Sequence, residues 1–373
     1  MKIVIVAAAY PFRGGIAHHT ALLYRELSKR HDVGIVTFTR QYPKFLFPGT
    51  TQHEEGGELL RVPTTQLIDS INPFTWLKTG WWIRKQKPDL IIFAYSMPFF
   101  APAFGTIAAV ARRSGKTNVL FLCHNIIPHE PIPGDTLLTK YAFSFADYFI
   151  VQSDQVERDL LKLVPKARYK VSPHPIYEMF GEPRSKEESR KKLGLSATRI
   201  LLFFGYVRRY KGLGVLIDAM KLVKENLPDT LLLVVGEFYE DEKVFRNQVA
   251  SLGLQDSVKF VSQYVPQDEV ADYFSAADVV VLPYLSATQS GIAQVGYNFD
   301  KPLIGTDVGG LGEVIRHGET GYVVPPNDPK ALADAVIKFY REDREEEFVR
   351  NVKVEKKKYS WENMAATIEK LVA

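Results

Sequence analysis

Apolar runs of strand length recur along the whole chain: KIVIVAAA, DVGIVTFT, DLIIFAY, NVLFLCH and DYFIVQS in the first half, then RILLFFG, TLLLVVG, SVKFVSQ, DVVVLPY, PLIGT and GYVVPP. A strand wet on one face alternates apolar and polar residues, whereas most of these are apolar throughout, as strands buried on both faces are. Helix-period segments such as 212–226 and 267–277 separate them, so the pattern predicts an α/β fold of doubly wound parallel sheets. With 373 residues the chain exceeds one ordinary core and suits two Rossmann-like domains. The stretch SPHPIYEMFGEPRSKEESRKK is rich in proline and then in charge, which places a linker near 173–185. We therefore expect domains at 1–178 and 179–358. Residues 359–373 form an amphipathic helix with Ser360 as N-cap candidate, packing back on the first domain. Ligands of such sheets bind beyond the carboxyl ends of the strands, and the two sheets are expected to face each other across a cleft.

Several classes of function fall away at this level. The single cysteine, Cys123, sits in an apolar run, which leaves no disulfide framework or cysteine metal site and fits a reducing, cytoplasmic setting. The opening MKIVIVAAAYPF reads as a strand rather than a signal peptide, because Gly14 and Gly15 follow without a small-residue cleavage site. No run approaches the length of a membrane span. The formal charge of +4 permits anionic partners without demanding nucleic acid, and no nucleic-acid-binding signature is present. No HExxH or similar spacing points to a metal.

The segment LLFFGYVRRYKGLGVLIDAM carries the sharpest local signal. A buried strand ends in Gly205, three cations follow (Arg208, Arg209, Lys211), and an apolar-periodic helix begins near Gly212. Helix N-termini offer free N–H groups and a positive dipole end, so this junction favours an anion. Arginine forks onto two phosphate oxygens while lysine acts as a point charge, which suits a diphosphate. A solvated cationic loop is the competing reading. Other strand ends carry similar turns: Gly14 and Gly15 in AYPFRGGIAHHTALL, Ser290 and Gly291 at a helix start, and Gly309 and Gly310. None is a GxGxxG dinucleotide fingerprint.

The order PFRGG, CHN, FFGYVRRYKG and DKPLIGTDVGGLGEVIRHGETGYVVPPND closely resembles the retaining glycosyltransferases of the GT-B fold, family 4. The resemblance implies transfer of a sugar from a nucleotide-diphosphate donor held by the second domain, without a metal or other cofactor; no DxD pair is present to hold one. It places Gly15 at the donor, matches Lys211 to the lysine on the donor diphosphate, and matches His124 to the histidine beside the reacting sugar. Where many members have an arginine directly after the glycine, this chain has Tyr206, so the partner cation becomes Arg208 or Arg209. Where many carry two glutamates eight positions apart, it has Ala287 and Val295. Sugar contacts then pass to Gln289, the backbone around Ser290 and Gly291, and Gln294. Glu313 matches a family glutamate but also suits a helix's first turn.

His124 after a strand is also readable as an ordinary hydrogen-bonded histidine. His129 and Glu130, and His18 and His19, are acceptor-side candidates, with a solvated loop as the alternative for the first pair. In NPFTWLKTGWWIRKQKPDL, Trp76, Trp81 and Trp82 mingle with Lys78, Arg84, Lys85 and Lys87, and Phe45 to Phe47 lie upstream. This suits an interfacial helix on anionic lipid, while a helix packed on the sheet is the simpler reading. The sequence thus predicts a glycosyltransferase acting on a glycan or lipid-linked acceptor in cell-surface polysaccharide or glycolipid synthesis, with peripheral contact at the inner membrane face. A catalytically silent nucleotide-sugar binding protein and a sugar-nucleotide 2-epimerase are the alternatives.

Overall fold

The computed structural model describes residues 1–43, 61–112, 116–128, 132–287 and 289–373, so Phe45 to Phe47, His129 and Glu130 lie outside the described residues. The chain forms two compact units, Met1–Pro175 with Ser360–Ala373, and Ile176–Tyr359.

The first unit is built on parallel strands β1 (Lys2–Val6), β2 (Asp32–Arg40), β3 (Thr65–Asp69), β4 (Leu90–Tyr95), β5 (Asn118–Cys123), β6 (Tyr148–Val151) and β7 (Tyr169–Val171). Their order across the sheet is β3-β2-β1-β4-β5-β6-β7. Every residue of β4 is buried, as a strand covered on both faces requires. Phe93 of β4 stacks on Phe121 of β5 with ring centroids 5.0 Å apart. Among the helices are α1 (Gly15–Leu27), α2 (Pro73–Gln86), α3 (Ala101–Ala111) and α4 (Asp135–Phe143). Glycines let three of them close up side by side. A Cβ on Gly80 of α2 would stand 2.6 Å from Val110 of α3, and one on Gly105 of α3 would stand 2.6 Å from the Tyr141 ring of α4. Ser360 caps the C-terminal helix Trp361–Val372, its hydroxyl accepting the Asn363 N–H at 3.2 Å. That helix packs on α1, and its Glu369 pairs with Arg30 at 3.0 Å and His31 at 2.8 Å.

The second unit holds β8 (Arg199–Phe204), β9 (Thr230–Val235), β10 (Val258–Val261), β11 (Val279–Leu282), β12 (Leu303–Thr306) and β13 (Gly321–Val324). They run parallel in the order β10-β9-β8-β11-β12-β13. The two sheets share a topological feature: the strand order reverses between β1 and β4 in one and between β8 and β11 in the other. At such a switch point the chain leaves neighbouring strands in opposite directions, opening a crevice at their carboxyl ends.

The structure adds two strands that apolar patterning does not reveal. β3 and β7 are edge or near-edge strands with little buried surface, so TQLID and YKV need no apolar run. The second helix expected over 267–277 is shorter, Val270–Ala276. The Trp76 to Lys87 segment is a helix packed on the core, with apolar side chains also on its outer face. Thr79, Gly80 and Ile83 are buried, and Trp76 and Trp82 pack on the core, while Phe74, Leu77 and Trp81 face outward.

At the second switch point Gly212 has φ +68, and a Cβ there would stand 1.9 Å from the Pro283 carbonyl oxygen. Gly194 has φ +60 and open space around it. Both Gly→Ala changes therefore carry left-handed strain of about 1–3 kcal/mol, and Gly212→Ala adds overlap of about the same size. Urea unfolding should place Gly212→Ala below Gly194→Ala; equal loss would mean that the two loops do not constrain each other.

Candidate functional site

Each unit brings its own group of candidate functional residues to the carboxyl edge of its sheet. In the second unit β8 ends at Phe204, and Gly205 turns the chain with φ +97. Arg208 precedes a single 3-10 turn, Arg209–Lys211, and Gly212 then leads into the helix Leu213–Asn226. The three cations thus occupy a tight turn before the helix, and no side chain caps its N-terminus. The loop after β11 holds this turn in place, because the Leu285 N–H donates to the Tyr210 carbonyl at 2.6 Å.

Lys211 is buried at 7% exposure. Its ammonium lies against bare backbone, since a Cβ on Gly205 would stand 3.1 Å from Nζ and 3.2 Å from Cδ1 of Ile292. Ile292 belongs to the first turn of the helix Gly291–Asn298, so Lys211 points toward a second helix N-terminus. Nζ also stands 5.7 Å from the centre of the Tyr284 ring. Among the described residues no carboxylate pairs with Lys211 or Arg208. Burial, and then the charge of Arg208, push the Lys211 pKa down to about 8. Arg208 is exposed and lies over the Tyr239 ring at 4.6 Å. Of the two candidate partner cations it is the one whose field reaches Lys211. A site with two cations, a glycine that admits a close ligand and helix N-termini can accept an anion of more than one charge.

Beside it, Ser290 caps the helix Gly291–Asn298, its hydroxyl accepting the Ala293 N–H and donating to the Tyr284 hydroxyl, both at 3.3 Å. Gly291 lets the Tyr177 ring approach to 3.2 Å of where a Cβ would stand. Gln294 is buried, and its amide oxygen has no hydrogen-bond partner among the described residues. Gln289 is half-buried in the preceding loop. Ala287 and Val295 are buried and offer no polar atom. Glu313 is exposed in the short helix Gly310–Val314 beyond β12, where its charge reaches Tyr359.

In the first unit, Gly14 at φ +112 begins α1, Gly15 is its first residue, and a Cβ on Gly14 would meet nothing within 4 Å. His124 follows β5, and its N–H donates to the Tyr95 carbonyl of β4 at 2.8 Å. Its ring is buried in an aromatic group absent from the sequence reading. His19 of α1 meets His124 edge to face at 4.5 Å, His174 at 5.2 Å and Trp361 of the C-terminal helix at 4.8 Å. Gln152 donates its amide N–H to Nε2 of His19 at 3.2 Å, and His174 donates from Nδ1 to the Pro175 carbonyl at 2.8 Å. Burial, helped by the His174 imidazole, holds the His124 pKa at about 3; burial brings that of His174 to about 4, and burial with the His124 and His174 imidazoles brings that of His19 well below the usual value. All three rings are neutral near pH 7. His124 can therefore orient a polar group but cannot serve as a proton donor in the imidazolium form.

One ring nitrogen of each of the three lies within 4.8 Å of the others, the one such group among the described residues. Ligand nitrogens sit about 2.0–2.1 Å from zinc, so a metal would require these edge-to-face rings to turn toward a common point. His18 is half-buried on the same helix as His19. His19 is an acceptor-side candidate from the sequence, but Gln152, His174 and Trp361 escaped the sequence reading because more than a hundred residues separate some partners that touch; His174 in SPHP showed only as part of a proline-rich linker.

Residues 13–177 match the family described as Glycosyltransferase Family 4, and residues 185–372 match Glycosyl transferases group 1. The chain is 29% identical over 239 residues to the D-inositol 3-phosphate glycosyltransferase of Corynebacterium urealyticum, covering 61% of this chain and 56% of that protein. It is 33% identical over 173 residues to the phosphatidyl-myo-inositol mannosyltransferase of Mycobacterium leprae, covering 46% and 45%. It spans less than two thirds of the length of the first curated relatives it matches. Among solved structures, sucrose-phosphate synthase from Thermosynechococcus elongatus superposes with a TM-score of 0.76 at 22% identity over 100% of this chain and 98% of that one. Anabaena HepE in complex with UDP gives 0.77 at 19% identity over 99% of each chain. Both show the GT-B fold.

Binding an anion at Lys211 needs its ammonium form. Affinity for a nucleoside diphosphate should therefore fall as pH rises through about 8, by at most about tenfold per unit. Calorimetry in buffers of different ionisation enthalpy should show proton uptake near that pH. Lys211→Met should abolish the uptake and weaken binding by about 1.5–3 kcal/mol; a folded variant with the parent's affinity would remove Lys211 from the site.

Proposed function

We propose that this chain, which belongs to the glycosyltransferase family described as Glycosyl transferases group 1, moves a sugar from a nucleotide-diphosphate donor bound in its second unit to a glycan or lipid-linked acceptor bound in its first. The observation that carries this reading is a buried lysine with no carboxylate partner among the described residues, placed beside Arg208 at the switch point between β8 and β11. The diphosphate gains a full negative charge as the sugar departs. Cations and helix N-termini already in place stabilise that charge without reorganising.

We read the transfer as that of a hexose with retention of configuration, assisted by these side-chain cations and independent of a metal. His124, neutral and buried, hydrogen-bonds the reacting sugar. Gly15, Gln289, Ser290, Gly291, Gln294 and Glu313 contact the donor. Support for an acceptor at a membrane comes from the outward apolar and basic residues of α2 and from a relative named phosphatidyl-myo-inositol mannosyltransferase. We place the protein at the cytoplasmic face of the membrane, in cell-surface polysaccharide or glycolipid synthesis. Among the described residues no helix is long and apolar enough to cross a membrane.

A second reading, a silent nucleotide-sugar binding protein, is favoured by the buried Ala287 and Val295. Slow hydrolysis of a bound donor distinguishes the two. For an enzyme, His124→Ala should lower kcat about 100-fold and leave nucleoside diphosphate affinity within about twofold. Parent turnover that resists EDTA fits the metal-independent reading. Equal turnover by folded mutant and parent would take His124 out of the chemistry, and absence of both transfer and hydrolysis would favour the binding protein.

A further inference from the structure

A pocket of about 400 Å³ opens in the first unit just past the carboxyl ends of β3 and β4. Ile71 follows β3, and Met97 and Phe99 follow β4. Trp76 of α2, Ile132 before α4 and Leu138 within it close the wall. The same strand end carries His124, whose N–H is held by the last residue of β4. The volume lies in the range of small-ligand sites, and the wall is almost wholly apolar.

Two polar residues line it. The Asp135 carboxylate is occupied by its own turn, accepting the Ile132 N–H at 2.9 Å. Ser70 is 4% exposed, and its hydroxyl has no hydrogen-bond partner among the described residues. Trp76 donates its indole N–H to the Asp69 carbonyl at 2.7 Å, so its ring offers the pocket only carbon. The rim is apolar as well: Ile71 is 47% exposed and Ile132 67%. Phe74, Leu77 and Trp81 project from α2 and Leu137 from α4. No acidic residue occurs in the 14 of α2, which carries Lys78, Arg84 and Lys85, and Lys140 is exposed on α4.

The geometry points to a site for the apolar chain of an amphiphilic acceptor drawn from an anionic bilayer. The chain fills the pocket, and the Ser70 hydroxyl bonds the first oxygen beyond it. Phe74 and Trp81 enter the interface, where aromatic rings sit well, and the lysines meet anionic headgroups. This inference rests on the transferase reading, whose acceptor it narrows to a lipid-linked one.

Two measurements on the full chain, neither using turnover, test it. The first is co-sedimentation with phosphatidylcholine vesicles with and without 30% phosphatidylglycerol, at low and high salt. Binding should require the anionic lipid, fall with salt, and drop about tenfold in Phe74→Ser/Trp81→Ser and in Lys78→Gln/Lys85→Gln, with nucleoside diphosphate affinity unchanged. The second is quenching of tryptophan fluorescence by a brominated decyl glucoside below its micellar concentration. Trp76→Phe should remove most of the quenching, while Ser70→Ala and the exposed-rim change Ile132→Asp should each weaken binding about five- to tenfold. No vesicle binding by the parent at low salt, or quenching untouched by Trp76→Phe, would overturn the inference. If sugar transfer to a water-soluble acceptor survives that result, the transferase reading stands. Alkyl binding in a protein that neither transfers nor hydrolyses donor would retire the transferase and leave an amphiphile site.

Discussion

Two parallel sheets, each covered on both faces, set the terms for everything else in this protein. Parallel strands need a crossover between each pair, and helices supply most of the crossovers among the described residues, so the carboxyl ends of strands such as β1, β8 and β11 meet helix N-termini across short loops. Where strand order reverses, two such loops diverge and leave room for a ligand among N–H groups that the sheet itself does not use. The glycines at these positions follow from that geometry. Gly205 at φ +97 keeps a side chain away from Lys211, and Gly212 lets the β8 loop lie on the carbonyl of Pro283. The first unit repeats the plan at β1 with Gly14.

Within that frame, the contrast between two buried lysines separates structure from function. Lys301 is buried and its pKa is also pushed down to about 8, but its ammonium donates to the carbonyls of Ser275 at 3.3 Å and Ala277 at 2.8 Å. It ties a helix end to the sheet. Elsewhere in the unit, the buried Asp278 is met by Lys186 at 2.8 Å and Arg190 at 2.7 Å. Lys211 has neither carbonyl nor carboxylate among the described residues, and Arg208 adds a like charge. Burying a cation without such partners is costly in a protein alone and favourable once an anion arrives. That asymmetry is the physical ground for proposing the β8 loop as a binding site rather than a structural turn.

The first unit uses burial differently. His19, His124 and His174 gather against Trp361, and loss of water keeps all of them neutral. Neutral rings packed in this way hold their orientation without drawing counter-ions. The C-terminal helix belongs to this arrangement, since Trp361 seats His19 and Glu369 anchors the same helix to Arg30 and His31. A segment remote in sequence thereby sets the position of the histidine at the end of β5.

The sequence by itself determined the layered α/β plan, because strands buried on both faces must be apolar throughout, and that signal is local. It also marked the junction from Phe204 to Gly212 as an anion site, since strand, glycine, cations and helix follow one another within a few residues. It left open which arginine assists Lys211, and it missed β3 and β7, whose edge positions need little apolar surface. Only the tertiary structure decided that Arg208 reaches Lys211, that His124 belongs to a cage of imidazoles, and that the α2 helix has an inward and an outward apolar face. It alone gathered Ser70, Trp76, Met97 and Leu138 around one pocket. Those facts depend on which side chains, far apart along the chain, lose water together, and burial of that kind is a property of the fold rather than of any stretch of residues.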